Sequence, residues 1–366
     1  MLLRMAITPM LRRCAGPALL VAALLIATPA LAEQPAATIH LKVVGGLANV
    51  TQFTKFEMPF WQREVPLITQ GRVVAEIHPF DQSGFSGPDI LQLMHLGVVS
   101  FGTALLAQVA ADEPELNVVD LPILNPDIQA LRRTVSAYRA HIADILAQRY
   151  DVELLAIYAY PAQVLFCSAE FRTLRDLKGR RVRTSSVGQS ELMAALGAIP
   201  VQLPFAQIVE AIRHGVVDCA ITGTRSGGEI GLPEVTSHIS PLAISWGLSF
   251  FGTNRETWNQ FPADIREQLG QGIHRLEDAI WEAADRETAV GLACDTGSGG
   301  CENGRTYNMK LVRVDPADAI ARRQLLIHSI LPQWIQRCGQ DCVEAWNSTL
   351  GPELNIQVSA RSDRER

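Results

Sequence analysis

The sequence has little positive charge, and its basic residues form no long cluster. It contains 32 lysines and arginines against 38 aspartates and glutamates, which gives a formal net charge of −6. Proteins that bind nucleic acid carry a basic patch that neutralises phosphates, so this composition argues against a nucleic-acid partner. Aromatic residues are also few, at 6%, but 48% of the residues are apolar, which is ordinary for a globular protein.

Long apolar runs are absent after the first 32 residues. No later stretch has the roughly 20 consecutive apolar residues that a membrane helix requires. The first 32 residues combine three arginines, an apolar run at Ala18–Ile26 and an Ala30-Leu31-Ala32 end, which is the pattern of a secretory signal. We therefore expect a cleaved signal peptide over residues 1–32 and a periplasmic mature protein.

Complete catalytic motifs are missing as well. The sequence contains no phosphate-binding loop, no HExxH zinc motif and no full G-x-S-x-G elbow, since Pro88 follows Gly84-Phe85-Ser86-Gly87. We therefore expect neither enzyme activity nor a cofactor. A lobed hydrolase or a periplasmic isomerase stays as an alternative, because a fold alone does not fix a function.

Cysteines are few, and the predicted export places them in an oxidising compartment. Cys294 and Cys301 flank a glycine-rich loop, and Cys338 and Cys342 lie close together near the C-terminal end of the sequence. Four cysteines allow three connectivities, of which we favour Cys294–Cys301 with Cys338–Cys342. A zinc site is disfavoured because these spacings are not those of a zinc finger.

Two further cysteines, Cys167 and Cys219, have apolar neighbours in the sequence. Such surroundings are typical of a buried cysteine that packs as a small apolar side chain. We expect both residues to be buried and to carry free thiols.

The most informative stretch is Leu177–Thr222, in which strand and helix patterns alternate. Arg181–Thr184 alternates as a strand, Val187–Leu196 has helical spacing, and Val216–Thr222 has the pattern of a buried strand. Strands that alternate with helices on short connections predict an α/β fold with parallel strands. Ligands bind beyond the carboxyl ends of such strands, where Arg183 offers a fixed fork of donors that suits a carboxylate.

This stretch resembles the substrate-binding subunits of tripartite ATP-independent periplasmic (TRAP) transporters, the DctP-like family. LKGRRVRTSS, ALGAIPVQLPF and GVVD carry the resemblance. It implies an extracytoplasmic solute receptor that binds an organic acid through Arg183. It also implies delivery to a small and a large membrane subunit, with ion gradients driving uptake. The alternatives are the binding component of another transporter or of a sensory system.

The resemblance further implies an α/β fold of two lobes, like that of type II periplasmic binding proteins. Parallel or mixed sheets flanked by helices would enclose a cleft between the lobes. An internal repeat agrees with two lobes, because Ile90–Ser100 and Ile208–Asp218 share an apolar pattern, a glycine and a strand start. A long helix that opens at Pro262 and extends to Leu292 would span both lobes as a hinge element. The expected domains are lobe I at residues 33–160 and 249–288, and lobe II at residues 161–248 and 289–366 with a C-terminal extension.

The sequence departs from the family at several expected ligand positions. Gln163 and Thr103 stand where sialic-acid-type members have an arginine and a glutamate, and Thr222 replaces a common asparagine. These smaller or uncharged groups predict a monocarboxylate with a hydroxyl or apolar remainder as the ligand. Asn49 and Gln82 are further candidates on loops that face the cleft.

Two larger side chains are weaker candidates for the site. Trp246 lies in the segment Leu242–Thr253, which is predicted to cross from one lobe back to the other. An indole there either contacts the ligand or belongs to the core. Arg225 follows a predicted strand of lobe II and is either a second cation of the cleft or a surface arginine. We expect the receptor to act as a monomer.

Overall fold

Two β-sheets, each flanked by helices, form the framework of the protein. The computed structural model describes residues 37–314 and 316–359, so the expected signal peptide at residues 1–32 lies outside the described part. The first sheet has the strand order β2-β1-β3-β10-β4. Its strands are β1 (Ile39–Gly45), β2 (Val73–Pro79), β3 (Phe101–Leu105), β4 (Val152–Ala159) and β10 (Leu248–Asn254).

The second sheet has the strand order β11-β9-β5-β8-β6-β7. Its strands are β5 (Gln163–Cys167), β6 (Arg181–Thr184), β7 (Ile199–Gln202), β8 (Cys219–Gly223), β9 (His238–Ile239) and β11 (Lys310–Leu311). The α-helices of the described residues are α1 (Val65–Ile68), α2 (Gly87–His95), α3 (Leu106–Val109), α4 (Ile128–Tyr150), α5 (Val187–Ala195), α6 (Ile208–Arg213), α7 (Thr224–Glu229), α8 (Arg255–Gln260), α9 (Ala263–Thr296), α10 (Pro316–Leu325), α11 (Leu331–Cys338), α12 (Gln340–Ser348) and α13 (Leu350–Leu354).

The two sheets repeat one strand arrangement. In the first sheet β1 pairs in parallel with β2 and β3, and β10 runs antiparallel beside β3. In the second sheet β6 pairs in parallel with β7 and β8, and β5 runs antiparallel beside β8. The mixed α/β fold and the internal repeat are therefore confirmed.

The repeated helix-glycine-strand units share their turn geometry. Gly97 and Gly215 adopt φ values of 69° and 64°, which a glycine tolerates without steric cost. The N–H groups of Val98 and Val216 donate to carbonyls five residues back, which closes both helices with a Schellman motif. Val216 therefore belongs to this turn and not to a strand. Strand β8 begins at Cys219, and the predicted start at Val216 is wrong.

The expected long helix is present as α9, which begins at Ala263 and ends at Thr296. Its 34 residues span about 51 Å at 1.5 Å per residue. Trp281 donates its indole N–H to the carbonyl of Ile157 in β4, and Thr288 accepts from the N–H of Ala162 just before β5. The helix therefore contacts both sheets.

The segment before β2 stays helical through two prolines. Residues 52–57 and 60–64 form π-helical turns, and α1 follows directly. The wider turns shift the hydrogen-bond pattern at Pro59 and Pro66, so the missing N–H groups do not break the helix. Phe60 and Trp61 of this segment are buried against the first sheet.

The six cysteines of the described residues are paired in three disulfides. Cys294–Cys301 and Cys338–Cys342 are bonded as we favoured. Cys167 and Cys219 are also bonded to each other, so the expectation of two free thiols is wrong. The two residues face each other in the antiparallel pair of β5 and β8, with a Cα–Cα distance of 4.1 Å. Sequence neighbours show burial, but cross-strand register decides pairing.

The C-terminal helices connect elements of both halves. Trp334 in α11 donates its indole N–H to the carbonyl of Pro114, which precedes the long helix α4. Arg337 in the same helix forms an ion pair with Glu191 in α5, beside the second sheet. Among the described residues, no helix combines the length and the apolar composition needed to cross a lipid bilayer.

Candidate functional site

A cleft of about 650 Å³ is lined by residues from both sheets and their loops. Its second-sheet wall contains the ends of β6, β7 and β8, as expected for the carboxyl ends of parallel strands. The lining residues are Leu47, Phe80, Asp81, Phe85, Ser86, Gly87, Pro88, Leu105, Ala107, Gln108, Tyr160, Gln163, Arg183, Ser185, Gln202, Leu203, Pro204, Phe205, Ala206, Thr222, Gly223, Ser226 and Gly247.

Arg183 is held rigidly in the second-sheet wall by backbone acceptors. Its Nε donates to the carbonyl of Leu203 at 2.9 Å, and its Nη1 donates to the carbonyl of Ile221 at 2.7 Å. The side chain belongs to β6, whose parallel neighbours β7 and β8 bring these two carbonyls within reach. Three of the five guanidinium N–H groups therefore remain without a partner in the described part of the chain.

The guanidinium is a buried cation that meets no counter-ion among the described residues. Arg183 is only 4% exposed, and no carboxylate of the described residues lies within ion-pair distance. Burial lowers the pKa of Arg183 to about 10, so it stays protonated at neutral pH. An unpaired buried charge is unfavourable, and an anion in the cleft removes this cost.

The rest of the lining carries one other formal charge. Asp81 lies on an exposed loop at the mouth of the cleft, and its Oδ1 accepts from the N–H of Ala48 at 3.0 Å. Arg183 is thus the one cation of this lining. A ligand with a single carboxylate is neutralised there, whereas a second carboxylate would find no second cation.

Three uncharged polar groups lie in the same wall as Arg183. Gln163 donates its Nε2 to the carbonyls of Pro161 and Trp246, which fixes the amide and leaves Oε1 open. The hydroxyls of Thr222 and Ser226 make no hydrogen bond with the described residues, and both keep contact with solvent. These oxygens are placed to bind ligand hydroxyl or N–H groups.

Aromatic and aliphatic side chains form the remainder of the cleft. Phe80 and Tyr160 are almost fully buried, and Phe205 is half-buried on the second-sheet side. Phe85 is 47% exposed at the mouth, on the loop before α2. Such a lining can bury the apolar body of a small ligand while a few polar groups fix its orientation.

A buried carboxylate fixes the segment that contains Gly247. Asp120 accepts hydrogen bonds from the backbone N–H groups of Trp246 at 2.7 Å and Gly247 at 2.8 Å. Burial raises the pKa of Asp120 to about 7, and the N–H donors oppose this rise. Because Gly247 lines the cleft, Asp120 positions part of its wall.

The structure brings Arg183, Gln163 and Thr222 together in the cleft and places the other five candidates elsewhere. Trp246 is 3% exposed and donates its indole N–H to the carbonyl of Asn125, so it packs in the core. Thr103 is buried in β3 and donates to Glu57 Oε1 at 3.4 Å. Asn49 and Gln82 are exposed beside the cleft without lining it.

Arg225 has a structural position behind the cleft. Its Nε forms an ion pair with Glu229 at 2.9 Å, and its Nη2 donates to the carbonyl of Asn303 at 2.9 Å. It is 7% exposed and ties α7 to the segment that follows the Cys294–Cys301 disulfide. The positive charge of Arg225 is thus balanced by the carboxylate of Glu229 within the protein.

Sequence reasoning missed Gln108, Ser226 and Phe205 as cleft residues. Phe205 belongs to the PVQLPF stretch that carried the family resemblance, so that signal was present. Gln108 and Ser226 follow β3 and β8 by a few residues in short helices. Gln108 and Ser226 occupy matching places in the two copies of the repeat, and this match is visible only when the copies are superposed in three dimensions.

The model of the bacterial extracellular solute-binding proteins, family 7, matches residues 48–290, which is more than half of the chain. The chain belongs to this family. The resemblance to DctP proteins is thereby confirmed, and the match includes both walls of the cleft and most of α9.

Relatives of this family 7 protein include receptors for small acids. The C4-dicarboxylate-binding periplasmic protein DctP of Rhodobacter capsulatus is 24% identical over 231 residues, which are 61% of this chain and 68% of that protein. DctP7 of Bordetella pertussis, an extracytoplasmic solute receptor binding pyroglutamic acid, superposes with a TM-score of 0.73 at 19% identity over 86% of this chain and 99% of that chain. A TRAP periplasmic solute binding protein from Shewanella oneidensis with bound succinate gives 0.72 at 20% identity over 84% and 98%.

The family and the fold are those of substrate-binding proteins outside the cytoplasm. Within residues 37–314 and 316–359, no three histidine, cysteine, aspartate or glutamate side chains are grouped to hold a metal ion. The cleft of this family 7 protein offers a cation, hydroxyl and amide groups, and apolar walls to a ligand.

Proposed function

We propose that this protein is a periplasmic receptor for a monocarboxylate, which it binds in the cleft through Arg183. The observation that carries the proposal is the buried, counter-ion-free guanidinium, held by two backbone carbonyls in a cleft of about 650 Å³. A carboxylate matches its open donors in both charge and geometry. Gln163, Thr222 and Ser226 hydrogen-bond the ligand beside the carboxylate.

Membership of the family supports the remaining steps of the proposed transport cycle. The receptor is exported by the signal peptide at residues 1–32, binds its ligand as a monomer and releases it unchanged. It delivers the acid to the small and large TRAP membrane subunits, which use an ion gradient for uptake. Lobe I (residues 33–160 and 249–288) and lobe II (residues 161–248 and 289–366) close over the ligand.

The proposal is tested by thermal-shift and calorimetric screening of the mature protein against monocarboxylates, dicarboxylates, sugar acids and neutral analogues. A ligand at 100 times its dissociation constant should stabilise the folded protein by about 2.7 kcal/mol. Arg183→Ala should weaken binding by about 2–5 kcal/mol, because it removes the charged partner of the carboxylate. Arg183→Lys keeps the charge but loses the fork, so its affinity should be intermediate.

Arg181→Ala is the matched control, because Arg181 lies on the same strand but pairs with Asp218 outside the cleft. It should bind the acid as the native protein does. Retained affinity in a folded Arg183→Ala variant would contradict the proposed role. A neutral compound that binds more tightly than any acid would contradict the ligand class, and conversion of the bound acid, followed by mass spectrometry, would show an enzyme instead.

A further inference from the structure

Gln108 enters the cleft from the side opposite to Arg183. It lies in α3, which follows directly after β3 of the first sheet, whereas Arg183 belongs to β6 of the second sheet. Both residues line the same cleft. The two side chains therefore approach a bound ligand from different walls.

The amide of Gln108 is left without a partner by the part of the chain that the structure describes. Its Oε1 is buried and makes no hydrogen bond with the described residues. Its Nε2 has no partner in that part of the chain either, but it is not buried and keeps contact with solvent. A half-buried amide that faces a cleft with a free N–H donor is suited to an oxygen acceptor on a ligand.

Gly87 determines where this amide lies. A Cβ atom at residue 87 would be 2.7 Å from Oε1 and 2.8 Å from Cβ of Gln108. Gly87 is the first residue of α2 and is itself part of the cleft lining. The absence of a side chain there allows Gln108 to lie against the first turn of α2, with Oε1 covered and Nε2 open.

We propose that Gln108 recognises an oxygen acceptor on the part of the ligand remote from its carboxylate, and that Gly87 positions it. The ligand class is then an acid with a carbonyl or hydroxyl group toward the first-sheet wall, in preference to a hydrocarbon acid of the same shape. This inference rests on the proposed function, because it requires the carboxylate to be fixed at Arg183. The apolar lining around Gln108, which includes Leu105 and Phe85, makes an unpaired ligand oxygen costly and sharpens the discrimination.

The experiment compares matched pairs of acids by isothermal titration calorimetry. The pairs are 4-oxopentanoate with pentanoate, and 4-hydroxybenzoate with benzoate. The native protein should prefer the oxygenated member of at least one pair by roughly 2- to 12-fold, the range of one uncharged hydrogen bond. Gln108→Leu should reduce this ratio to about one.

Two further variants separate recognition from folding. Gln108→Glu keeps the shape of the side chain but replaces the donor by a carboxylate, so it should disfavour 4-oxopentanoate more than Gln108→Leu does. Gly87→Ala should also reduce the ratio, although the added methyl group displaces Gln108 and removes no polar group. Gln271→Leu, an exposed position on α9, is the control and should leave the ratio unchanged.

The outcomes distinguish this inference from the proposed function. Equal binding of both members by the native protein, or an unchanged preference in a folded Gln108→Leu variant, overturns the role of Gln108 and leaves the carboxylate receptor intact. Failure of the native protein to bind any acid of the panel overturns the proposed function and this inference with it. A preference that depends on both Gln108 and Gly87 supports the proposal.

Discussion

Arg183 combines a cost in folding stability with the ligand-binding role proposed above. Its guanidinium is 4% exposed and bonded only to carbonyl oxygens, so its charge is desolvated without compensation by an opposite charge. The same environment makes it a strong anion site, because the low dielectric of its surroundings strengthens the attraction between the guanidinium and a bound carboxylate. Rigid placement by two backbone carbonyls lowers the ordering cost of binding.

Asp295 has a comparable cost without a ligand function. It lies near the end of α9, is fully buried, and neither carboxylate oxygen has a hydrogen-bond partner in the described residues. Burial raises the pKa of Asp295 to about 7, and the nearby charge of Arg225 opposes the rise. The folded state therefore holds a proton that the unfolded chain releases near pH 3.8.

We expect Asp295→Asn to change the pH dependence of stability. The native free energy of unfolding should fall as the pH rises from about 4 to 7, because the unfolded state binds fewer protons over this range. The variant lacks this dependence at residue 295, so its advantage should be small near pH 4 and largest above pH 7. One pKa unit corresponds to about 1.4 kcal/mol, which sets an upper limit on the order of 4 kcal/mol.

Denaturant unfolding at pH 4.5 and pH 8 measures this difference. Asp264→Asn serves as the control, because Asp264 is an exposed partner of Arg72 and its pKa is lowered by that hydrogen bond. An Asp295→Asn variant that gains the same stability at both pH values would contradict the raised pKa.

At the scale of elements, α9 joins the two halves through close backbone contact. Gly291 faces the start of α7, where an added Cβ would be 2.5 Å from the backbone nitrogen of Arg225 and 2.6 Å from the carbonyl carbon of Thr224. Gly270 in the same helix has no atom within 4 Å of its would-be Cβ. A side chain at residue 291 would therefore clash with α7, whereas a side chain at residue 270 would meet open space.

We expect Gly270→Ala and Gly291→Ala to have opposite effects on stability. Gly270→Ala should raise the free energy of unfolding by about 0.5–1 kcal/mol, since alanine restricts the unfolded helix segment. Gly291→Ala should lower it by about 1–3 kcal/mol, because α7 must move away from α9. Chemical denaturation of the two variants beside the native protein provides the measurement, and a stabilising Gly291→Ala would show that the helices are not in contact there.

The elements that form the cleft were predicted correctly where the sequence pattern of a segment agrees with its strand pairing in the fold. Arg181–Thr184 was predicted and found as β6, because it alternates and is followed by the N-cap of α5 at Ser186. The start of β8 was wrong by three residues, since the Schellman turn at Gly215 depends on backbone geometry that an apolar run does not reveal. The apolar pattern of residues 53–68 predicts a helix despite Pro59 and Pro66, and the structure confirms the helix. Only the structure reveals that π-helical turns carry it past Pro59.

At the scale of the whole molecule, the described part of the chain connects the two sheets at three places. They are the passage from β4 to β5, the passage into β10 after residue 247, and α9. Hinge closure around a ligand takes place through a small number of such connecting segments. The C-terminal helix α11 adds contacts to both halves through Trp334 and Arg337.

We expect a bound acid to reduce the radius of gyration of the mature protein from its ligand-free value of about 20 Å. The reason is that Arg183 and Gln108 lie on opposite walls, so a ligand that contacts both draws them together. Small-angle X-ray scattering with and without a binding acid measures the change. The folded Arg183→Ala variant should show no change at the same acid concentration, and equal compaction of both proteins would contradict ligand-driven closure.

The sequence by itself determined the fold class, the repeat, the long helix, two of the three disulfides and the position of Arg183. These features depend on residues that are close together in the sequence. The signals are the periods of apolar residues, glycines at helix ends, short cysteine spacings and a contiguous family motif. Tertiary structure decided which of the remaining candidates share the cleft. It places Trp246 in the core and ties Arg225 to Glu229, although both had the residue types of a binding site.

Tertiary structure also decided the Cys167–Cys219 disulfide and the open amide of Gln108 against Gly87. The physical reason is the same in each case. Whether a thiol is bonded, a cation is paired or an amide is free depends on strand register and on atoms that are distant in the sequence, and these distances are set only when the two sheets and α9 pack together.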